Sequence, residues 1–149
     1  MPETDPHNTE LYQLLAMTRD IHSLWQSQNA RLPDEKAVTY AERGVLEILV
    51  SEGAQPVPSI ARARFVSRQH IQKLVDDLAG KGLVELQPNP AHKSSPLVEA
   101  TIAGERAYTV AASGEAAVLN AVAPDLAHTD LSTALEALRC VVKALTATR

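Results

Sequence analysis

Residues 67–84 read SRQHIQKLVDDLAGKGLV, and the spacing within them decides the fold. Ile71, Leu74, Val75 and Leu78 recur every three or four residues, the period of one face of a helix. On the opposite face fall Gln69, Lys73 and Asp76, flanked by His70 and Gln72, with Arg68 in the first turn. Ser67 is suited to cap this helix, because its hydroxyl can accept an orphan backbone amide, and Gly82 to end it. Beyond it, LVELQ (83–87) and LVEAT (97–101) alternate as two strands would, joined by PNPAHKSSP (88–96). Before it, QPVPS (55–59) holds the chain extended ahead of a short helix containing Ile60, Ala61 and Ala63. A short helix, a tight turn, an amide-bearing helix and a hairpin in this order predict a winged helix-turn-helix.

Further out, the pattern is helical on both sides. Leu11, Leu14, Leu15, Ile21, Leu24 and Trp25 form one stripe, with Asp5 and Pro6 as the start of their helix. After a loop around residues 32–36, TYAE (39–42) matches a capping box, Leu46, Leu49 and Val50 give a buried face, and Gly53 is the stop. Thr101 caps a segment running to about Val122, Pro124 breaks it, and Leu131, Leu135, Leu138, Val142 and Leu145 form the stripe of a last helix. The expected class is mainly α with a small β-hairpin wing. Residues 1–35 and 102–149 serve dimerisation and 36–101 form the winged domain. The terminal helices hold more apolar surface than a reading module this small needs to cover, which suggests a dimer interface.

The charge is unevenly spread. The 149 residues carry a net charge of −4, yet 57–75 contain Arg62, Arg64, Arg68 and Lys73 and no acid. A basic patch on an acidic chain is the electrostatic footprint of nucleic-acid binding, and equally that of a solvated helix face. A helix of this kind fits the major groove, where Gln pairs bidentately with adenine and Arg with guanine, while Lys73 suits a phosphate. No apolar run approaches the roughly 20 residues that span a bilayer. One cysteine and no signal-peptide layout point to the cytoplasm.

In the order and spacing of these elements the chain resembles the MarR family of winged helix-turn-helix transcriptional regulators. The resemblance runs from the N-terminal helix through VTYAERGVLEILVSEG, VPSIARARFVSRQHIQKLVDDLAGKGLV and the wing to ATIAGERAY, which stands where the family often has Leu-Thr-x-x-Gly. It implies an intertwined homodimer covering a pseudo-palindromic operator in double-stranded DNA, with half-sites about 10 base pairs apart. Repression would end when a small aromatic or phenolic effector enters a cleft that His22, Trp25, Tyr40, Tyr108 and Arg19 would line. The DNA-facing set would be Arg62, Arg64, Ser67, Arg68, Gln69, His70, Gln72 and Lys73, with His92, Lys93 and Ser94 on the wing. Two departures stand out. The family's Asp-x-Arg at the wing tip, an internal salt bridge, is replaced by His92, Lys93 and Ser94. Phe65 occupies the turn position where many relatives have glycine, and it is expected to pack into the core.

Other chemistries find little footing. Cys140 reads as a buried structural thiol. The five histidines show no metal-ligand spacing, and no metal or cofactor is expected. Gly80-Lys81-Gly82 lacks the earlier glycine of a phosphate loop, Val75 standing there. No nucleophile-elbow or dinucleotide fingerprint occurs, so no enzymatic activity is expected. The rival is a winged-helix module that docks an acidic protein partner without specific DNA binding.

Overall fold

A computed structural model describes residues 9–29 and 38–148. In chain order the elements are α1 (Glu10–Asn29), α2 (Tyr40–Glu52), β1 (Gln55–Pro56), α3 (Val57–Ala63), α4 (Arg68–Gly80), β2 (Val84–Gln87), β3 (Leu97–Ala100), α5 (Ile102–Val122) and α6 (Leu131–Ala147). A 3-10 turn, Ala123–Leu126, lies between the last two. The chain divides into two compact units, one ending at Ala116 and the other beginning at Ala117.

In the first unit the core is the apolar face of α4 packed against α2, α3 and the hairpin. Leu46, Ile60, Ile71, Leu78, Val45, Val75 and Val98 are fully buried. The four α4 positions read from the sequence, Ile71, Leu74, Val75 and Leu78, are all buried. Truncating one of them, as in Leu78→Ala, costs about 2–5 kcal/mol through lost transfer energy and the cavity left behind. On α2 the expectation needs one correction. Val50 is exposed, and Val45 and Ile48 join Leu46 and Leu49 in the core. The buried arc is wider than a stripe because α2 meets α4 and the sheet at once.

The ends of these helices follow from side-chain chemistry. Thr39 and Glu42 form the anticipated capping box, with Thr39 Oγ1 accepting the Glu42 amide and Glu42 Oε2 accepting the Thr39 amide at 2.7 Å. Glu42 is only 3% exposed, and the Lys81 ammonium meets both its oxygens at 2.7 and 2.8 Å. The start of α2 is thereby tied to the end of α4. At that end Gly82 N–H donates to Ala79 O and Leu83 N–H to Leu78 O, both at 2.9 Å, a Schellman closure with Gly82 at φ 71°.

The same closure ends α3, but with Phe65 in the glycine position. Phe65 N–H donates to Arg62 O and Val66 N–H to Ala61 O, and Phe65 has φ 56°. The expected core packing of Phe65 is not found, since its side chain is 52% exposed. The turn dictates a left-handed backbone there, and the ring is carried half out of the fold.

The hairpin gains a third strand that the sequence reading did not anticipate. Gln55–Pro56 pairs antiparallel with β3, so the order is β1-β3-β2. Pro56 lacks a donor, which suits a two-residue edge strand. Pro58 lies inside the first turn of α3 instead of before the helix. After β3, Thr101 fixes the start of α5: its amide donates to Leu83 O, and its hydroxyl donates to Gly82 O and accepts the Gly104 amide. A Cβ on Gly104 would meet Leu83 O at 2.0 Å, so the residue must be glycine for α5 to approach this closely.

The proposed start of the first helix at Asp5 and Pro6, the loop around 32–36 and His7 lie outside the described residues. The described part of α1 opens with Thr9 Oγ1 accepting the Tyr12 amide. Its Leu11, Leu15, Ile21 and Leu24 are exposed. In the second unit, Asp130 caps α6 by accepting the Thr133 amide at 3.0 Å and its hydroxyl at 2.6 Å. Leu131, Leu135, Val142 and Leu145 are exposed along one stripe of α6. Cys140 is also exposed, which corrects the reading of it as buried. No described helix is long and apolar enough to cross a membrane.

Candidate nucleic-acid interface

Burial of Ile71, Leu74, Val75 and Leu78 turns the rest of α4 outward. Arg68, Gln69, His70, Gln72 and Lys73 are all exposed. Ser67 Oγ accepts the His70 amide at 3.1 Å, so its acceptor role is spent on the helix start. Arg68, Gln69 and Gln72 line one side of a groove of about 300 Å³ whose other side is formed by Leu86, Ser94, Ser95 and Pro96 of the hairpin, with Val57 and Pro58 at its base. The groove thus brings together residues of α4 and the hairpin that are 14 to 28 positions apart in the chain. The Gln72 amide donates to Asp76 Oδ1 at 2.9 Å, which holds it in a fixed direction one turn from an acid. Lys73 stands outside the groove, as does Arg62 in the last turn of α3. His92, Lys93 and Ser94 are exposed at the wing tip, where Ser95 N–H donates back to His92 O at 3.0 Å.

Arg64 behaves differently from its neighbours. It is half-buried, and its guanidinium lies against Gly44 of α2. There it lines a second cavity, about 250 Å³, with His22 and Gln26 of α1, Tyr40 of α2, Val66, and His70, Ile71 and Leu74 of α4. His22 meets the Tyr40 ring edge-on, with centroids 5.4 Å apart, and Gln26 Nε2 lies 3.1 Å from His22 Nε2. The Arg43 guanidinium lies 5.6 Å from the centre of the same Tyr40 ring and pairs with Glu115 of α5.

Of the five residues read as lining an effector cleft, this cavity unites His22 and Tyr40. Arg19, Trp25 and Tyr108 are not among its lining residues. Arg19 is exposed beside Asp20, Trp25 is half-buried, and Tyr108 packs against the core. Sequence reasoning missed Gln26, Val66 and the inward turn of Arg64. Gln26 stands four residues after His22, one turn on along the same face, which was a usable signal. No cluster of three or more histidine, cysteine or acidic side chains suited to a metal ion occurs among the described residues.

Comparison with known proteins agrees with this architecture. A model described as the MarR family matches residues 38–93, from the start of α2 to the wing. The uncharacterised protein Rv2011c of Mycobacterium tuberculosis is 31% identical over 140 residues, covering 94% of this chain and 97% of its own length. The crystal structure of the MarR family transcription regulator SP03579 superposes with a TM-score of 0.67 at 27% identity, over 93% of this chain and 89% of that one. The PcaV transcriptional regulator of Streptomyces coelicolor, solved in complex with its natural ligand, gives 0.73 at 20% identity, over 97% and 99%. With its helix-turn-helix, its wing and these likenesses, the chain belongs to the MarR family, whose members are transcription regulators and not enzymes.

Proposed function

We propose that this chain is a homodimeric, cytoplasmic repressor that reads a pseudo-palindromic duplex and is released by a small aromatic or phenolic acid. The observation that carries the reading is the groove between α4 and the wing. It gathers Arg68, Gln69 and Gln72 of α4 and Ser94 of the wing around one groove while Ile71, Leu74, Val75 and Leu78 on the other side of α4 are buried. Arg68 and the glutamines suit base edges, and Lys73, Arg62 and Lys93 suit phosphates. Dimerisation is assigned to residues 1–35 and 102–149. Its support is the exposed stripe of leucine and isoleucine on α1 and of leucine and valine on α6, which are unusual on a lone chain.

The second cavity is assigned to the effector, with Arg64 as the carboxylate-binding group instead of a DNA contact. Tyr40 and His22 supply ring faces and polar tips. Because His70, Ile71 and Leu74 of α4 form part of the wall, an occupant touches the helix that faces DNA on its other side. An acid that fits the cavity in one placement of α4 better than in another shifts the DNA-binding equilibrium by that difference in affinity.

In vitro selection from random duplex DNA at near-physiological salt tests the reading. Enrichment of a two-fold palindrome is the expected result. A folded dimer that enriches nothing, and binds duplexes only in a salt-sensitive and sequence-blind way, would overturn it in favour of a protein-docking module.

A further inference from the structure

The connection between β2 and β3, residues 88–96, contributes no pair to the sheet, so its shape must be set by other means. Its buried polar residue is Asn89, 9% exposed. The carboxamide oxygen of Asn89 accepts the amides of Ala91 at 3.0 Å and His92 at 3.3 Å. Its Nδ2 donates to Ser95 O at 2.7 Å. One side chain therefore ties the outgoing limb of the loop to the returning one, using both ends of its amide. The opposite orientation would set an NH2 group against two N–H donors, so the network admits only this one.

The rest of the loop conforms to that tie. Pro88, Pro90 and Pro96 offer no amide protons to satisfy and fix their own φ angles. Ser95 N–H closes a turn onto His92 O at 3.0 Å, which leaves Lys93 and Ser94 at the apex, both exposed. Lys93 takes part in no ion pair among the described residues. Its place in space is thus decided by the loop beneath it and not by a carboxylate beside it.

We propose that Asn89 is the positioning residue of the wing, holding Lys93 where its ammonium meets a DNA phosphate. This rests on the DNA-reading function proposed above. A nine-residue loop without the tie would have to be ordered at each binding event, and that conformational entropy would be subtracted from the affinity. With the tie, the ordering is already complete in the free protein.

The test measures binding of a fluorescein-labelled mixed-sequence duplex, about 30 base pairs long so that both half-sites fit, across a salt series. Lys93→Ala is expected to remove one phosphate contact from each subunit of the dimer, lowering the slope of log affinity on log salt by about 1.8 in all and the affinity roughly 25-fold near physiological salt. Asn89→Ala is expected to reproduce both losses and to add nothing when combined with Lys93→Ala. Asn89→Asp keeps the two acceptor bonds and loses the bridge to Ser95 O, so its amide protection at Ala91 and His92 falls between those of the unmutated protein and Asn89→Ala; because its new carboxylate also repels phosphate, this variant is read by exchange and not by affinity. Amide hydrogen exchange reads the tie without DNA: the Ala91 and His92 amides lose protection in Asn89→Ala while those of α4 keep theirs. Unchanged affinity, slope or protection in Asn89→Ala would overturn the proposal, as would a loss of equal size with and without Lys93. Failure of the unmutated protein to bind any duplex would instead remove the DNA-reading function, with amide protection still reporting the tie on its own.

Discussion

Nη2 of Arg64 lies 2.4 Å from the point where a Cβ on Gly44 would stand, so the guanidinium rests directly against the backbone of α2. A methyl group there displaces only the tip of a flexible side chain. In the middle of a helix, alanine is favoured over glycine by about 1 kcal/mol. Gly44→Ala is therefore expected to melt at or above the wild-type temperature while losing the place of Arg64 in the cavity. If Arg64 grips the effector's carboxylate, binding of aromatic acids, followed by tryptophan fluorescence, weakens about tenfold or more, the loss of one charge-assisted hydrogen bond. Unchanged binding would return Arg64 to another role.

Phe65 occupies, at φ 56°, the position that Gly82 occupies at the end of α4. A non-glycine residue in the left-handed region costs on the order of 1 kcal/mol, and a half-exposed ring returns only part of that. Phe65→Gly is expected to raise the melting temperature by roughly 2–4 °C. Phe65→Ala, which keeps the strained backbone and loses the ring, should lower it. A fall in both variants would mean that the ring contributes more through packing than the turn loses through strain.

The contrast between these turns shows what could be read from the sequence and what could not. The period of Ile71, Leu74, Val75 and Leu78, the capping box of Thr39 and Glu42 and the stop at Gly82 are local patterns with local causes, and each stands where the sequence placed it. The winged domain followed from their order. Phe65 was misjudged because an aromatic residue suggests burial, while backbone handedness is set by the hydrogen bonds of the turn and leaves no mark on composition. Val50 was misjudged because α2 is contacted from two directions. The exposed side of α4 was legible as the complement of its buried face. The inward turn of Arg64 was not, since it depends on space made by Gly44, twenty residues earlier, and Asn89 was hidden because its three partners are backbone groups with no sequence signature.

Asp130 makes a pH-dependent contact at the start of α6. Its carboxyl is held below its ordinary value of 3.8 by the Thr133 hydroxyl first and the Thr133 amide second, both donating to the charged form. A depressed carboxylate stabilises the folded end above its unfolded pKa and loses that contribution as pH falls through the folded one. Fraying at the start of α6, seen by amide exchange of Ser132 and Thr133, is expected to increase only below pH 3.8. Asp130→Asn, which caps without ionising, should show no such step.

On α4 the neighbouring polar residues are expected to divide the work. Arg68 lies in the groove with the wing and suits a guanine edge, so Arg68→Ala should cost about 1–3 kcal/mol for each half-site of the selected duplex and little on random DNA. Lys73 lies outside that groove, and Lys73→Ala should weaken both duplexes alike and reduce the salt slope by about 1 for each subunit of the dimer. Asp76 sets these two effects against each other. Its carboxylate repels phosphates, but it also accepts the Gln72 amide at 2.9 Å and aims it. Asp76→Ala, which removes both the charge and the acceptor, is therefore expected to tighten random-duplex binding through the lost repulsion, and to gain less on the selected duplex because Gln72 is no longer held, so the ratio of the two affinities falls. Competition between the two duplexes across a salt series measures all three variants together. If Arg68→Ala weakens selected and random duplex equally, Arg68 is a phosphate contact and base reading passes to Gln69 and Gln72.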